Sequence, residues 1–389
     1  MVVIFSLSEI QRPLSSDIDK LKGDDGGFIA QKTKQDKKTS EQGALVNDAL
    51  NQGVSNFTPD LLYEHLVKSY ASAKQLLGPK LLRYLSGYSM SSLEKNLRIP
   101  EFKKELRKNI DENVSQLKKD GILTKDFDIS HKGVETASVL LAVQELDNIS
   151  SKGFMSSKRK EVSAQGSVVD FRNFKKSDSY KDIAIRKSVR KAVKRNHKKI
   201  LFDDLRSKVR KSKSSLSVIY AVDASASMRG KKLEMAKKAG VALSYKAIDE
   251  KDKVGLVVFN QEIQKSVVPC SDFQFLLQNI ASVTSFSQTD FSLMVKKAVE
   301  LFENINDNKH LIILTDAMPT VGKNPEEETL KAISIARANN ISVSLVGINL
   351  DEKGKAIAEK IIQIGEGRLY LASNIEDLDI IVLEDYLSA

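Results

Sequence analysis

Short apolar runs alternate with amphipathic helical stretches throughout residues 216–389, and this alternation limits the fold more than any other feature of the chain. The runs LSVIYAV, KVGLVVF, HLIILT and ISVSLVG are apolar on both faces, which is typical of strands covered on both sides. The run EIQKSVV follows KVGLVVF after only Asn260 and Gln261, and so short a gap predicts antiparallel pairing at a sheet edge. We therefore predict an α/β fold with a doubly wound, mostly parallel, Rossmann-like sheet.

The chain before this region divides into three segments by composition. Residues 1–43 hold a short amphipathic element and a polar, Gly-containing linker that extends to about residue 44. Residues 44–149 carry apolar side chains at helical spacing and predict a mainly helical domain, for which a helical bundle and a winged helix are both open. Thr58-Pro59-Asp60 predicts a helix start, because proline is favoured at the first helical position.

Residues 150–215 form a basic connecting segment. Between Lys152 and Lys213 there are 21 lysines and arginines against 6 aspartates and glutamates, a difference of +15, whereas the whole chain has a net charge of +10. This concentration of charge predicts an acidic partner. Its basic helix is expected to bury a stripe made of Ile183, Val189, Ala192 and Val193.

Several protein classes are disfavoured by composition. The sequence has no run of about 18 apolar residues of the kind that spans a bilayer. Its first residues lack the basic and long apolar regions of a secretory signal, so we expect a cytoplasmic protein. A single cysteine, Cys270, excludes an internal disulfide framework and a cysteine-based zinc site. The histidines are scattered and are expected to be structural or surface groups: His65, His131, His197 and His310.

Oxygen-bearing side chains follow the predicted strands at the points where ligands bind in open α/β sheets. Asp223, Ser225 and Ser227 follow the first strand of the sheet, Thr289 starts a later helix, and Asp316 follows HLIILT. No histidine or cysteine belongs to this set, which favours a hard cation over zinc or copper. We predict bound Mg²⁺, with Mn²⁺ as the alternative ion. Asp290, directly after the threonine, either places a negative charge at the N-terminus of the following helix or contacts the ion indirectly, outside its directly bound ligands.

The motif Asp-x-Ser-x-Ser, then a threonine, then Leu-Thr-Asp resembles the metal-ion-dependent adhesion site of von Willebrand factor A domains. The resemblance covers residues 216–389. It implies that Ser225 and Ser227 bind the metal directly, that Thr289 binds in the engaged state, and that Asp223 and Asp316 act largely through water. It also implies that the metal binds an Asp or Glu side chain of a partner protein. Ala226, Ser287-Gln288 and Ala317 stand where glycines are common in the family, and none of these departures removes a ligand oxygen.

The approach to this domain is similar to that of magnesium-chelatase-subunit-D-like proteins. The similarity lies in Tyr180-Lys181-Asp182-Ile183, in Asp203-Asp204-Leu205-Arg206 and in the Asp252–Val257 stretch. It implies a partnership with an AAA+ ATPase of the chelatase or MoxR kind. The chain has no Gly-x-x-x-x-Gly-Lys-Ser/Thr loop, so such an ATPase would be a separate protein.

Three functions follow as hypotheses. The first is a non-enzymatic, magnesium-dependent protein–protein adaptor. The second is nucleic-acid binding through residues 152–213, because phosphate contacts dominate such binding. The third, an enzyme, is disfavoured, because hydrolytic magnesium sites use direct carboxylates and a general base, and no His or Glu near these motifs suits that role.

Overall fold

A computed structural model describes residues 2–4, 37–152, 168–174, 183–195, 197, 199–210, 215–285, 289–316, 319 and 324–389. The chain divides into two compact units. The first, here called the sheet unit, comprises Met1–Ser157, Leu216–Leu387 and Ala389. The second, the basic unit, comprises Lys158–Ser215 and Ser388. The predicted linker lies mostly outside the described residues, but its last part is helical, since the first helix begins at Lys37 rather than at Ala44.

The sheet unit is built on a seven-stranded sheet within the described residues, and its strand order explains where a ligand site can form. The strands are β1 (Val2–Ile4), β4 (Leu216–Asp223), β5 (Lys253–Phe259), β6 (Ile263–Cys270), β7 (Asn308–Thr315), β8 (Ile341–Ile348) and β9 (Glu366–Ala372). They lie in the order β1-β9-β8-β7-β4-β5-β6. Only the β5–β6 pair is antiparallel among them, so the predicted fold class and the edge strand are confirmed. The chain leaves β4 on one side for β5 and later returns on the other side as β7, which places the switch point of the sheet at the β4–β7 crevice.

Helices cover both faces of this sheet. They are α8 (Lys231–Asp249), α9 (Phe273–Ala281), α10 (Phe291–Leu301), α11 (Pro325–Ala338), α12 (Glu352–Gly365) and α13 (Leu378–Ser388). Successive residues of β4 point to opposite faces, as expected for a strand. Val218, Tyr220 and Val222 pack among residues of α8, α9 and α13. Ile219 and Ala221 pack among residues of α10, α11 and α12.

Residues 37–152 form a helical region of six helices, with isolated β-bridges in place of a β-hairpin. The helices are α1 (Lys37–Asn51), α2 (Pro59–Lys68), α3 (Tyr70–Ser86), α4 (Met90–Asn96), α5 (Pro100–Lys119) and α6 (His131–Ser151). The helix start predicted at Pro59 is confirmed. Helix α6 joins this region to the sheet, because Leu141 and Ala142 belong to the sheet core and Ile149 packs with Ala242 and Leu383. No helix among the described residues is long and apolar enough to cross a membrane.

The basic unit contains an antiparallel strand pair, β2 (Val168–Asn173) and β3 (Arg206–Arg210), and helix α7 (Ile185–Lys194). The stripe predicted for this helix is confirmed at Ala192 and wrong at Val189 and Val193, while Ile183 is intermediate in exposure. Ala184, Ser188 and Ala192 are the buried residues, whereas Val189 is 40% and Val193 is 66% exposed. The small side chains allow close approach to β3, where the backbone N–H of Arg206 donates to Ser188 Oγ at 2.9 Å. The three small residues, spaced four positions apart, therefore decide the packing face, and the larger Val189 and Val193 face outward.

A candidate metal site at the switch point of the sheet

Asp223, the last residue of β4, lies at the centre of the candidate site. It is fully buried, and its Oδ1 accepts a hydrogen bond from the backbone N–H of Ser225 at 2.8 Å. Thr315, at the end of the adjacent strand β7, donates from Oγ1 to Asp223 Oδ2 at 2.7 Å. Thr289 Oγ1 lies 3.5 Å from Asp223 Oδ1. Three separate loops thus meet at one buried carboxylate.

Ser225, Ser227 and Asp316 form a continuous row of oxygen atoms beside this carboxylate. The hydroxyls of Ser225 and Ser227 are 3.0 Å apart, and Ser227 Oγ donates to Asp316 Oδ1 at 2.8 Å. A short 3₁₀ turn, Ala226–Met228, follows two residues after β4 and brings the two hydroxyls to the same side. The structure therefore brings all five predicted side chains together at the switch point.

The spacing of these oxygens suits a small divalent cation. Neighbouring ligands of an octahedral Mg²⁺, each about 2.1 Å from the ion, are about 3.0 Å apart. The Ser225–Ser227 hydroxyl separation of 3.0 Å matches that edge. Among the described residues there is no cluster of three or more His, Cys, Asp or Glu side chains suited to a metal. The chemistry of this set, oxygen only and two carboxylates at most, fits Mg²⁺ or Mn²⁺.

Burial changes the acidity of the central carboxylate. It raises the pKa of Asp223 to about 6, and the hydrogen bonds from Thr315 and Ser225 oppose that rise. The nearby carboxylate of Asp316 adds to it. A cation beside Asp223 would favour its charged form, which burial otherwise disfavours.

Asp290, for which two roles were open, caps a helix. Its Oδ1 accepts from the backbone N–H of Leu293 at 3.0 Å, as an N-cap residue of α10. Its own backbone N–H donates to the carbonyl oxygen of Asn260 at 2.8 Å. Asp290 therefore holds the start of α10 beside β5 and so positions the preceding Thr289. The departures at Ser287-Gln288 and Ala317 lie outside the described residues.

Lys232 is the site residue that sequence reasoning missed. It lies in the first turn of α8, and its Nζ donates to Asp316 Oδ2 at 2.5 Å. A signal was present in the sequence, because a lysine in the first turn of a helix opposes the helix dipole. That signal is weak by itself and does not point to Asp316.

Two of the predicted structural histidines make internal hydrogen bonds. His310 is buried between Ser342 Oγ and Asp385 Oδ2, each 2.7 Å from one of its ring nitrogens. His197 Nδ1 lies 2.7 Å from Asp204 Oδ2 in the basic unit. Both rings hold neighbouring elements together, and His65 and His131 are exposed.

Comparison with known proteins supports the resemblance to von Willebrand factor A domains. Residues 218–318 match the family model described as the von Willebrand factor type A domain, and this range contains all five candidate residues. No curated protein matches the chain.

Three solved structures that are similar to this chain each cover less than half of it. The conserved hypothetical protein BatB from Bacteroides thetaiotaomicron is 20% identical, with a TM-score of 0.35, over 44% of this chain and 97% of its own. A von Willebrand factor type A protein from Catenulispora acidiphila is 16% identical, with a TM-score of 0.38, over 45% and 42%. The pilus adhesin SpaC from Lactobacillus rhamnosus GG is 13% identical, with a TM-score of 0.39, over 46% and 30%. By the family model, residues 218–318 of this chain are similar to a von Willebrand factor type A domain.

Proposed function

We propose that this protein is a non-enzymatic adaptor that binds an Asp or Glu side chain of a partner protein through a magnesium ion. Ser225, Ser227 and Thr289 would hold the ion, and Asp223 and Asp316 would support it, largely through water. The observation that carries this proposal is the row of oxygens from Ser225 through Ser227 to Asp316 at the β4–β7 switch point. Mn²⁺ is the alternative ion for the same donor set.

A recognition role agrees with the chemistry of the donors. Neutral hydroxyls donate little charge to a bound divalent ion, which then attracts an anionic oxygen from outside. A hydrolytic site instead requires direct carboxylates and a general base. Neither Asp223 nor Asp316 has an oxygen without a hydrogen-bond donor from the protein. The proposal therefore assigns binding, rather than bond cleavage, to this site.

We also propose that the partner assembly includes a separate AAA+ ATPase of the chelatase or MoxR kind and that the protein works in the cytoplasm. The support is the sequence resemblance before the domain, which involves Asp204 among other residues. Asp204 is fully buried in the basic unit and accepts from the backbone N–H of Leu201 at 3.1 Å. That acidic residue therefore has a structural role in the segment that carries the resemblance.

Isothermal titration with Mg²⁺ tests the metal on which the proposal depends. The full chain is expected to bind Mg²⁺, and Asp223→Ala is expected to lose that binding because it removes the carboxylate on which the three loops meet. Asp290→Asn is the matched control, since it changes a neighbouring acidic residue and keeps a side-chain oxygen for the cap of α10. Equal Mg²⁺ binding by the wild type and Asp223→Ala would show that these residues are not the site.

Binding of a partner carboxylate through the metal is tested by a second measurement. A purified candidate partner is titrated into the protein in Mg²⁺ and then in EDTA, with Asp223→Ala alongside. We expect binding in Mg²⁺ only, and only to the wild type. An affinity that is the same in EDTA and in Asp223→Ala would refute metal-mediated recognition.

A nucleic-acid role is the second candidate, favoured by the exposed basic face of α7. Arg186, Lys187, Arg190 and Lys194 are all exposed on that helix. Phosphate binding by such residues weakens steeply as salt rises. An electrophoretic shift with duplex and single-stranded oligonucleotides at low salt that is lost at high salt supports this role, and no shift at low salt excludes it.

A further inference from the structure

A lysine is built into the candidate metal site. Lys232 Nζ lies 2.5 Å from Asp316 Oδ2, and the Asp316 side chain is 1% exposed. The other oxygen of the same carboxylate accepts from Ser227. Asp316 is thus held between a candidate metal-binding hydroxyl on one side and a cation of the protein on the other.

The position of this lysine is electrostatically unfavourable for the helix that carries it. Lys232 is the second residue of α8, and the N-terminal end of a helix repels positive charge. Its neighbour Lys231, also in the first turn, forms an ion pair with Glu376 outside the row of site oxygens, at 2.6 Å. The pairing of Lys232 with Asp316 is therefore specific to the site.

The pairing changes the net charge of the site. Asp223 and Asp316 carry two negative charges, and Lys232 carries one positive charge. A bound divalent ion would leave the group with one net positive charge, and a carboxylate from outside would bring it to neutrality. Without Lys232, the two aspartates would neutralise the ion by themselves, and an added carboxylate would leave excess negative charge.

From this geometry we infer that Lys232 makes the site dependent on an external carboxylate: it weakens binding of the metal alone and strengthens the coupling between metal and carboxylate. The inference rests on the proposed function, because it concerns the same metal. By thermodynamic linkage, a carboxylate that tightens metal binding is itself bound more tightly when the metal is present. Lys232 thus favours the fully assembled complex over the metal-loaded protein by itself.

The test measures Mg²⁺ binding by calorimetry in the wild type, Lys232→Met and Lys232→Arg, first without and then with acetate as the carboxylate probe. Methionine keeps the unbranched stem and removes the charge, whereas arginine keeps the charge. Because Lys232→Met removes a positive charge that repels the cation, it is expected to bind Mg²⁺ about tenfold more tightly or better. Acetate is expected to raise the Mg²⁺ affinity of the wild type and Lys232→Arg more than that of Lys232→Met.

Lys231→Met is the matched control, because it removes the adjacent lysine and its ion pair with Glu376. It is expected to bind Mg²⁺ as the wild type does. Thermal unfolding without metal establishes that each variant is folded.

The outcomes separate the two proposals. If all the proteins bind Mg²⁺ with equal affinity, or Lys232→Met binds it more weakly, the role of Lys232 is overturned and the proposed function stands. If none of them binds Mg²⁺, the proposed function fails and the inference fails with it. If Lys231→Met tightens Mg²⁺ binding as much as Lys232→Met does, the effect comes from the general charge of the helix end, and the specific role of Lys232 is overturned.

Discussion

The backbone N–H of Gly230 donates a hydrogen bond to the carbonyl oxygen of Asn51 at 2.8 Å. This contact joins the loop that carries Ser225 and Ser227 to the end of α1 in the helical region. Gly230 has φ +79° and ψ −126°, a conformation that L residues rarely adopt. The helical region therefore helps to hold the candidate site in shape.

Gly230→Ala is expected to lower the free energy of unfolding by about 1–3 kcal/mol, the usual cost of a strained backbone conformation. Chemical denaturation of both proteins measures the difference. A Cβ at Gly230 would also lie 3.4 Å from Gln52 Nε2. Gln52→Ala combined with Gly230→Ala therefore tests whether contact with Gln52, rather than backbone strain, lowers the stability. If the double variant regains the lost stability, crowding against Gln52 and not backbone strain is responsible.

A pH dependence of stability is expected from Glu145, which is buried in α6 near the side chain of Asp379 in α13. Burial, with the charge of Asp379, raises the pKa of Glu145 to about 7, against the opposing effects of Asn148, Lys152 and Lys238. The folded state therefore keeps a proton that the unfolded chain loses near its ordinary value of 4.5. The resulting stabilisation is complete below that value and is lost as the pH rises to about 7.

Glu145→Gln removes this titration. Relative to the wild type, its free energy of unfolding is expected to rise between pH 5 and pH 7, by up to about 1.4 kcal/mol for each pH unit. Urea unfolding at pH 5, 6 and 7 measures this change. Glu135→Gln, at an exposed position of the same helix, is the control, and a constant difference between Glu145→Gln and the wild type would contradict the prediction.

Lys237 is expected to show the opposite dependence. It is 2% exposed, and its Nζ donates to the carbonyl oxygen of Ala281 at 2.9 Å. Burial and the charge of Lys265 lower the pKa of Lys237 to about 7, whereas the unfolded chain keeps that proton up to about 10.5. The charged form therefore costs stability, and this cost declines as the pH rises from about 7 to 10.5.

Lys237→Met is expected to be more stable than the wild type at pH 7, with an advantage that shrinks by up to about 1.4 kcal/mol for each pH unit above it. Urea unfolding at pH 7.5 and 9.5 measures the change, with Lys238→Met, one residue along the same helix, as the control. An advantage that grows with pH would show that burial does not destabilise the charged lysine.

The corrected packing face of α7 predicts unequal effects at two adjacent positions. Ala192 is 3% exposed and Val193 is 66% exposed. Ala192→Leu is expected to cost about 1–3 kcal/mol because it overpacks a filled space, whereas Val193→Leu is expected to change stability by less than about 0.5 kcal/mol. Hydrogen exchange of the amides of α7 measures both, and equal protection in the two variants would contradict the assigned face.

The α/β fold was predictable because each signal is local. Runs that are apolar on both faces, such as the one ending at Asp223, indicate buried parallel strands within a window of a few residues. The short gap at Asn260-Gln261 likewise requires an antiparallel neighbour. The convergence of Asp223, Ser225, Ser227, Thr289 and Asp316 was also predictable, since the carboxyl ends of parallel strands meet at one edge of a sheet.

What the tertiary structure decided depends on contacts between residues far apart in the chain. The pairing of Lys232 with Asp316 joins residues 84 positions apart, and no helical or strand periodicity relates them. The packing of α6 on the sheet and the exposure of Val193 beside the buried Ala192 depend on which side chains allow close approach, and the hydrophobic pattern of one helix does not contain that information. The sequence by itself therefore determined the sheet and its oxygen-rich edge, and only the folded chain placed a lysine charge within that edge.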